Sequence, residues 1–100
     1  MLTYLLVRHK VRDYAVWKKG YDLHLPKRIE AGLTEKNLFR NDNDPNEVII
    51  LFEAVDIARA RKFVESSDLR EIMEKAGVID KPDIFFLNDQ SVVYAKASGF

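Results

Sequence analysis

Five consecutive apolar residues, Val48-Ile49-Ile50-Leu51-Phe52, constrain this chain more than any other feature. They follow a dense turn cluster, Asp42-Asn43-Asp44-Pro45-Asn46, in which each residue favours a turn for its own stereochemical reason. A β-branched and aromatic run of this length reads as a strand. Side chains alternate across a strand, so an unbroken apolar run is apolar on both faces. Tyr4-Leu5-Leu6-Val7 and Ile84-Phe85-Phe86-Leu87 share the property. A sheet with one wet face would alternate apolar and polar residues instead. The chain must therefore cover both faces of its sheet, and 100 residues are few for that task.

The remaining punctuation orders the elements. Tyr4 to His9 is the first strand, and Asp13 is a good cap for the helix that follows. That helix carries a stripe of Tyr14, Trp17, Tyr21 and then His24 or Leu25, at spacings of three and four. Pro26 lacks an N–H and interrupts or restarts the helix. Lys27 to Ala31 forms a further turn, which Gly32 ends. Leu33 to Asn41 and Glu47 to Val55 form a hairpin around the turn cluster. Asp56 caps a short helix through about Val64. Ser66, Ser67 and Asp68 start another, with Leu69, Ile72, Met73 and Ala76 on one face and Gly77 as its stop. Lys81-Pro82 breaks the chain before a fourth strand, Asp83 to Leu87. Asn88 to Ser91 is a bend, and Val92 to Ala97 is a candidate fifth strand.

The order β-α-β-β-α-β predicts an α+β, ferredoxin-like single domain over residues 1–100: a four-stranded antiparallel sheet with its helices on one face. The opposite face would then stand bare, forfeiting ~25 cal/mol per Å² of apolar surface. Residues 92–100 are too few to cover four strands. A homodimer is expected, its sheets packed face to face.

Composition narrows the function. Sixteen basic residues balance sixteen acidic ones, so no excess positive field exists for nucleic acid. The absence of cysteine removes disulfides, thiolate metal sites and Cys nucleophiles, and fits a cytoplasmic protein. No apolar run approaches a membrane span, and the N-terminus reads as a strand rather than a signal peptide. No metal is expected, because two histidines fifteen residues apart give no compact ligand spacing. No cofactor is expected either. Four glycines form no phosphate loop, and no nucleophile-elbow motif is present.

Several segments together resemble a known family. They are His9…Asp13-Tyr14…Trp17-Lys18…Tyr21-Asp22…His24, then Phe39-Arg40, Asp44-Pro45-Asn46-Glu47-Val48, and Ser67…Leu69-Arg70…Met73…Ala76-Gly77-Val78. Over about residues 7 to 88 the chain is similar to small bacterial and archaeal proteins of the dimeric α+β barrel superfamily, of the antibiotic-biosynthesis-monooxygenase type. Many members carry no assigned function. The resemblance implies a homodimer whose sheets form a barrel, with a pocket in each protomer between sheet and helices. Characterised relatives include cofactor-free oxygenases of aromatic polyketides, haem-degrading enzymes and small-molecule isomerases, and the shared fold does not choose among them.

The candidate site begins with Trp17, Tyr21, His24 and Arg28, one stripe if the helix continues through Pro26. Two aromatic walls, an imidazole and a guanidinium suit a planar aromatic ligand bearing an oxyanion. His24 would be the general base and Arg28 would hold the anion. The competing reading makes Trp17 and Tyr21 core, His24 a satisfied histidine and Arg28 surface. His9, a second catalytic candidate, faces either the pocket or the dimer seam, depending on register. Arg40 and Glu53 are further substrate-binding candidates on neighbouring strands. A buried Glu53 would need a partner, for which Arg8, His9 or Arg40 could serve. Two functions stay open: a cofactor-independent monooxygenase or related enzyme on an apolar or aromatic substrate, and a non-catalytic ligand-binding or assembly module.

Overall fold

A computed structural model describes residues 2–91. The candidate fifth strand at Val92 to Ala97 lies outside the described residues. The elements are β1 (Thr3–Lys10), α1 (Tyr14–Leu23), α2 (Leu25–Glu30), β2 (Leu33–Asn41), β3 (Asp44–Ala54), α3 (Ile57–Glu65), α4 (Ser67–Ala76) and β4 (Asp83–Asn88). The strands form one antiparallel sheet in the order β2-β3-β1-β4, the ferredoxin-like arrangement expected from the sequence.

Local chemistry sets the boundaries. Asp13 accepts from Val16 N–H to open α1, and Asp56 accepts from Ala58 and Arg59 N–H to open α3. Ser66 Oγ accepts from Leu69 N–H at the start of α4. Gly77 stops that helix in the left-handed region, at φ 93°, where a Cβ would be strained. Pro26 falls in the first turn of α2, where its missing N–H costs nothing. The hairpin is tighter than expected. Asn41 pairs with Asp44, so β3 starts three residues earlier than Glu47 and only Asp42-Asn43 turn the chain. Asn46 is instead used to dock the next layer, its Oδ1 accepting from Tyr14 N–H.

Strand parity assigns the faces. Leu5, Val48, Ile50 and Phe52 point toward the helices and are buried. Leu6, paired with Leu51 and Phe85, lies on the opposite face. Phe85 and Phe39 are half-exposed there. The bare apolar face inferred from the sequence is present, and no helix covers it among the described residues.

Candidate functional site

α4 shapes the site by what it leaves unfilled. Its face of Leu69, Ile72, Met73 and Ala76 is apolar, yet no residue of the helix is fully buried. The helix rests mainly on α1 and α3 rather than on the sheet. One contact fixes its height: a Cβ built on Gly20 of α1 would stand 3.2 Å from the Ala76 Cβ. Beneath α4 lies a narrow cleft with a cavity volume of about 70 Å³. The sheet supplies Leu5, Val7, Ile50, Phe52 and Ile84 as its floor. The walls are almost wholly apolar.

Four of the sequence-predicted residues meet there, and His9 joins them. Trp17, Tyr21, His24 and Arg28 all line the cleft although Pro26 separates α1 from α2. The helix is not continuous; α2 restarts at once, with His24 serving as the last cap of α1 and the first of α2. Trp17 stacks on Tyr21 with ring centroids 4.8 Å apart. The Arg28 guanidinium lies 3.7 Å over the other side of this row, on the Tyr21 ring. Its Nη1 donates to the Tyr21 carbonyl at 2.6 Å. The Tyr21 hydroxyl donates to Glu35 at 2.7 Å, and burial with this carboxylate beside it pushes the phenol pKa up.

His9 is 3% exposed, and neither ring nitrogen has a hydrogen-bond partner among the described residues. It sits on the helix-facing side of β1, with Leu5 and Val7, and meets Trp17 edge-on. Burial holds its pKa down at about 4, so it is neutral at pH 7. His24 stands at the mouth, stacked on Phe63 at 5.8 Å. Its pKa is also lowered, first by burial and then by the Arg28 and Lys27 charges.

Two predicted residues lie elsewhere. Arg40 places its guanidinium 3.8 Å over the Tyr14 ring and donates from Nε to the Pro45 carbonyl. It pins the hairpin to α1, away from the cleft. Glu53 points to the bare sheet face, 3.6 Å from Lys36 Nζ, and needs none of Arg8, His9 or Arg40. Arg8 is occupied on that same face by Glu47, Asp80 and Asp83. The cleft residues on α3 and α4, among them Phe63, Leu69 and Met73, went unnamed as site residues in the sequence. Their signal was the helical apolar spacing, which reads equally well as core. Among the described residues, no cluster of His, Asp or Glu is placed to hold a metal ion. No helix there is long and apolar enough to cross a membrane.

Known structures share this architecture. A Bordetella bronchiseptica protein described as a candidate antibiotic biosynthesis monooxygenase superposes with a TM-score of 0.72 at 16% identity, over 92% of this chain and 98% of its own. SnoaB, a cofactor-independent oxygenase from Streptomyces nogalater, gives 0.70 at 10% identity, over 92% and 96%. A conserved protein from Methanosarcina mazei Go1 gives 0.66 at 14%, over 90% and 95%. No protein-family model matches the chain, and no curated protein sequence matches it. The chain therefore has the fold of the antibiotic-biosynthesis-monooxygenase-like proteins, and sequence identities this low carry the fold alone.

Proposed function

We propose that the cleft binds a small, largely apolar or aromatic molecule and acts on it as a cofactor-independent monooxygenase. One observation carries the reading: an apolar cleft beneath α4 that encloses a buried imidazole with neither nitrogen paired among the described residues. Unpaired buried polar atoms are uncommon in native folds and call for a partner. A ligand hydroxyl or carbonyl at His9 would supply one. The fold shared with SnoaB adds to it.

The two histidines divide the work. A base is most effective when its pKa lies near the working pH. His9, at about 4, is too weak a base and is assigned as a hydrogen-bond partner. His24, closer to solvent at the mouth, is assigned as the base. For an anthrone, His24 would take a proton from the ring methylene and leave a carbanion that O₂ attacks. The methylene becomes a carbonyl, and the second oxygen atom leaves as water with the two hydrogens. The apolar walls hold the ring, and the cleft excludes bulk water.

Measuring O₂ uptake over a panel of anthrones and quinols tests this. The wild type should turn over at least one, and His24→Ala should slow it roughly a hundredfold. No turnover of any member would sink the oxygenase reading. Binding without turnover would favour a non-catalytic ligand carrier, the second reading, which the same cleft supports.

The assembly proposed is a homodimer through the bare sheet faces, each protomer keeping its own cleft. The Leu6, Leu51 and Phe85 row supports it. The site of action proposed is the cytoplasm, consistent with a chain that contains no cysteine.

A further inference from the structure

Arg28 is a buried cation with no ion-pair partner among the described residues. It is 7% exposed, and no carboxylate lies within ion-pair distance of it among the described residues. Its one hydrogen bond among the described residues goes to a neutral carbonyl, that of Tyr21. Glu35, one of two acids whose charge reaches Arg28, accepts from the Tyr21 hydroxyl. Burial lowers its pKa, and the charges of Glu35 and Asp22 offset this only in part. A guanidinium does not escape by losing its proton in a protein. The charge therefore persists at rest, and removing a charge from water without pairing it is costly. Among the described residues only Nη1 has a hydrogen-bond partner, and a guanidinium can meet a planar anion with two donors.

Two polar groups of the cleft, His9 and Arg28, stand at the two ends of one aromatic row. His9 abuts Trp17, Trp17 abuts Tyr21, and Tyr21 abuts Arg28. The rest of the wall is almost wholly apolar. The ground beyond is also basic. Past His24 the cleft continues into a groove with Lys27, Arg59 and Lys62 against Glu30 and Asp68, an excess of one positive charge.

We propose that the ligand of this cleft is an apolar, ring-bearing hydroxycarboxylate, its carboxylate on Arg28 and its hydroxyl at His9. The assignment rests on the reading of the cleft as a ligand site. A permanent anion matches a permanent cation. A neutral phenol would leave Arg28 unpaired until it ionised. The hydroxyl, donor and acceptor at once, fits either tautomer of the neutral His9.

Calorimetry with 6-hydroxy-2-naphthoate, its methyl ester and 2-naphthol as probes tests the assignment. The acid should bind the wild type at least tenfold tighter than the ester. Arg28→Met should bring the acid down to the ester's affinity, and Arg28→Lys should keep most of the preference. His9→Phe should remove the advantage of 6-hydroxy-2-naphthoate over plain 2-naphthoate while leaving the acid-over-ester preference. Equal binding of acid and ester by the wild type overturns the proposal and leaves the cleft a ligand site. A preference that survives in Arg28→Met overturns it as well. No binding by any probe overturns it together with the reading beneath it. The wild-type comparison stands even if a variant fails to fold.

Discussion

His9 meets Trp17 edge-on, with ring centroids 5.5 Å apart and planes at 78°, and among the described residues this contact, not a hydrogen bond, orients the imidazole. The fold keeps His9 neutral, whereas the unfolded chain protonates it below its ordinary pKa of 6.5. The unfolded state thus binds more protons between pH 6.5 and about 4. Stability contributed by the neutral ring is complete above pH 6.5 and is lost as pH falls toward 4. The full loss is about 3 kcal/mol at 1.36 kcal/mol per pKa unit. His24 shifts the same way and adds to the slope. His9→Phe should flatten urea-unfolding free energy across this window. At pH 7 it should leave stability level or raise it by ~1 kcal/mol, because two unsatisfied nitrogens leave the core. A slope unchanged by the substitution would show that His9 is not buried neutral.

The contact between Gly20 and Ala76 predicts how the cleft can be closed or opened. Gly20→Ala gains up to ~1 kcal/mol in helix propensity. It also places a methyl 3.2 Å from the Ala76 Cβ, so α4 must give by a few tenths of an ångström. α4 has room to move because its inner face is not packed solid. The expected result is little change in unfolding free energy but altered probe affinity. Adding Ala76→Gly should restore the affinity at a cost of ~1 kcal/mol in stability. If the two changes are additive in affinity, α4 is not set by this contact.

The fold was legible because its signals are local. Asp13, Asp56, Ser66, Gly32 and Gly77 each act within a few residues, and each acts where the sequence places it. The site was harder for a definite reason. A strand whose central run is apolar on both faces lacks the apolar–polar alternation that would mark its phase. Nothing in the sequence therefore said whether His9 faced the helices or the seam, or that Glu53 faced away from them. The register settles both: His9 pairs with Val48, and Glu53 pairs with Tyr4 on the bare face. The irregular register between Glu35 and Asn37 shifts the phase of β2 as well, which local reading of Arg40 could not anticipate. The emptiness beneath α4 is a tertiary distance, and helical spacing alone cannot tell a lined cleft from a filled core.

Arg8 binds β1, β3 and the segment leading into β4 into one network, with carboxylate oxygens of Glu47, Asp80 and Asp83 at 2.9, 3.0 and 2.7 Å. Asp80 also accepts from the Lys10 backbone N–H at 2.8 Å. Both Asp80 and Glu47 are held below the usual carboxylate pKa, Glu47 mainly by hydrogen bonds from Asn41 and Arg8. Their contribution is present above the unfolded carboxylate pKa and is lost as pH falls below it. Arg8→Met should lower the urea midpoint at pH 7, where three anions then repel one another. Added salt should recover part of that loss by screening. A variant as stable as the wild type at low salt would show that the network carries no net stability.

Leu6 is the most informative position on the bare face, flanked by Leu51 on β3 and Phe85 on β4. Its side chain points away from the cleft, so changing it tests assembly without touching the ligand site. A single protomer tolerates Lys there, since the ammonium can reach water from an uncovered sheet. In a sheet-to-sheet dimer the same ammonium would be buried beside its symmetry mate, and a buried unpaired charge is expensive. Leu6→Lys should therefore weaken self-association by at least a hundredfold, roughly 3 kcal/mol. Sedimentation velocity at micromolar concentration should show a dimer for the wild type and a folded monomer for the variant, with its far-UV circular dichroism unchanged. A wild type that sediments as a monomer, or a variant that stays dimeric, would move the interface off this face.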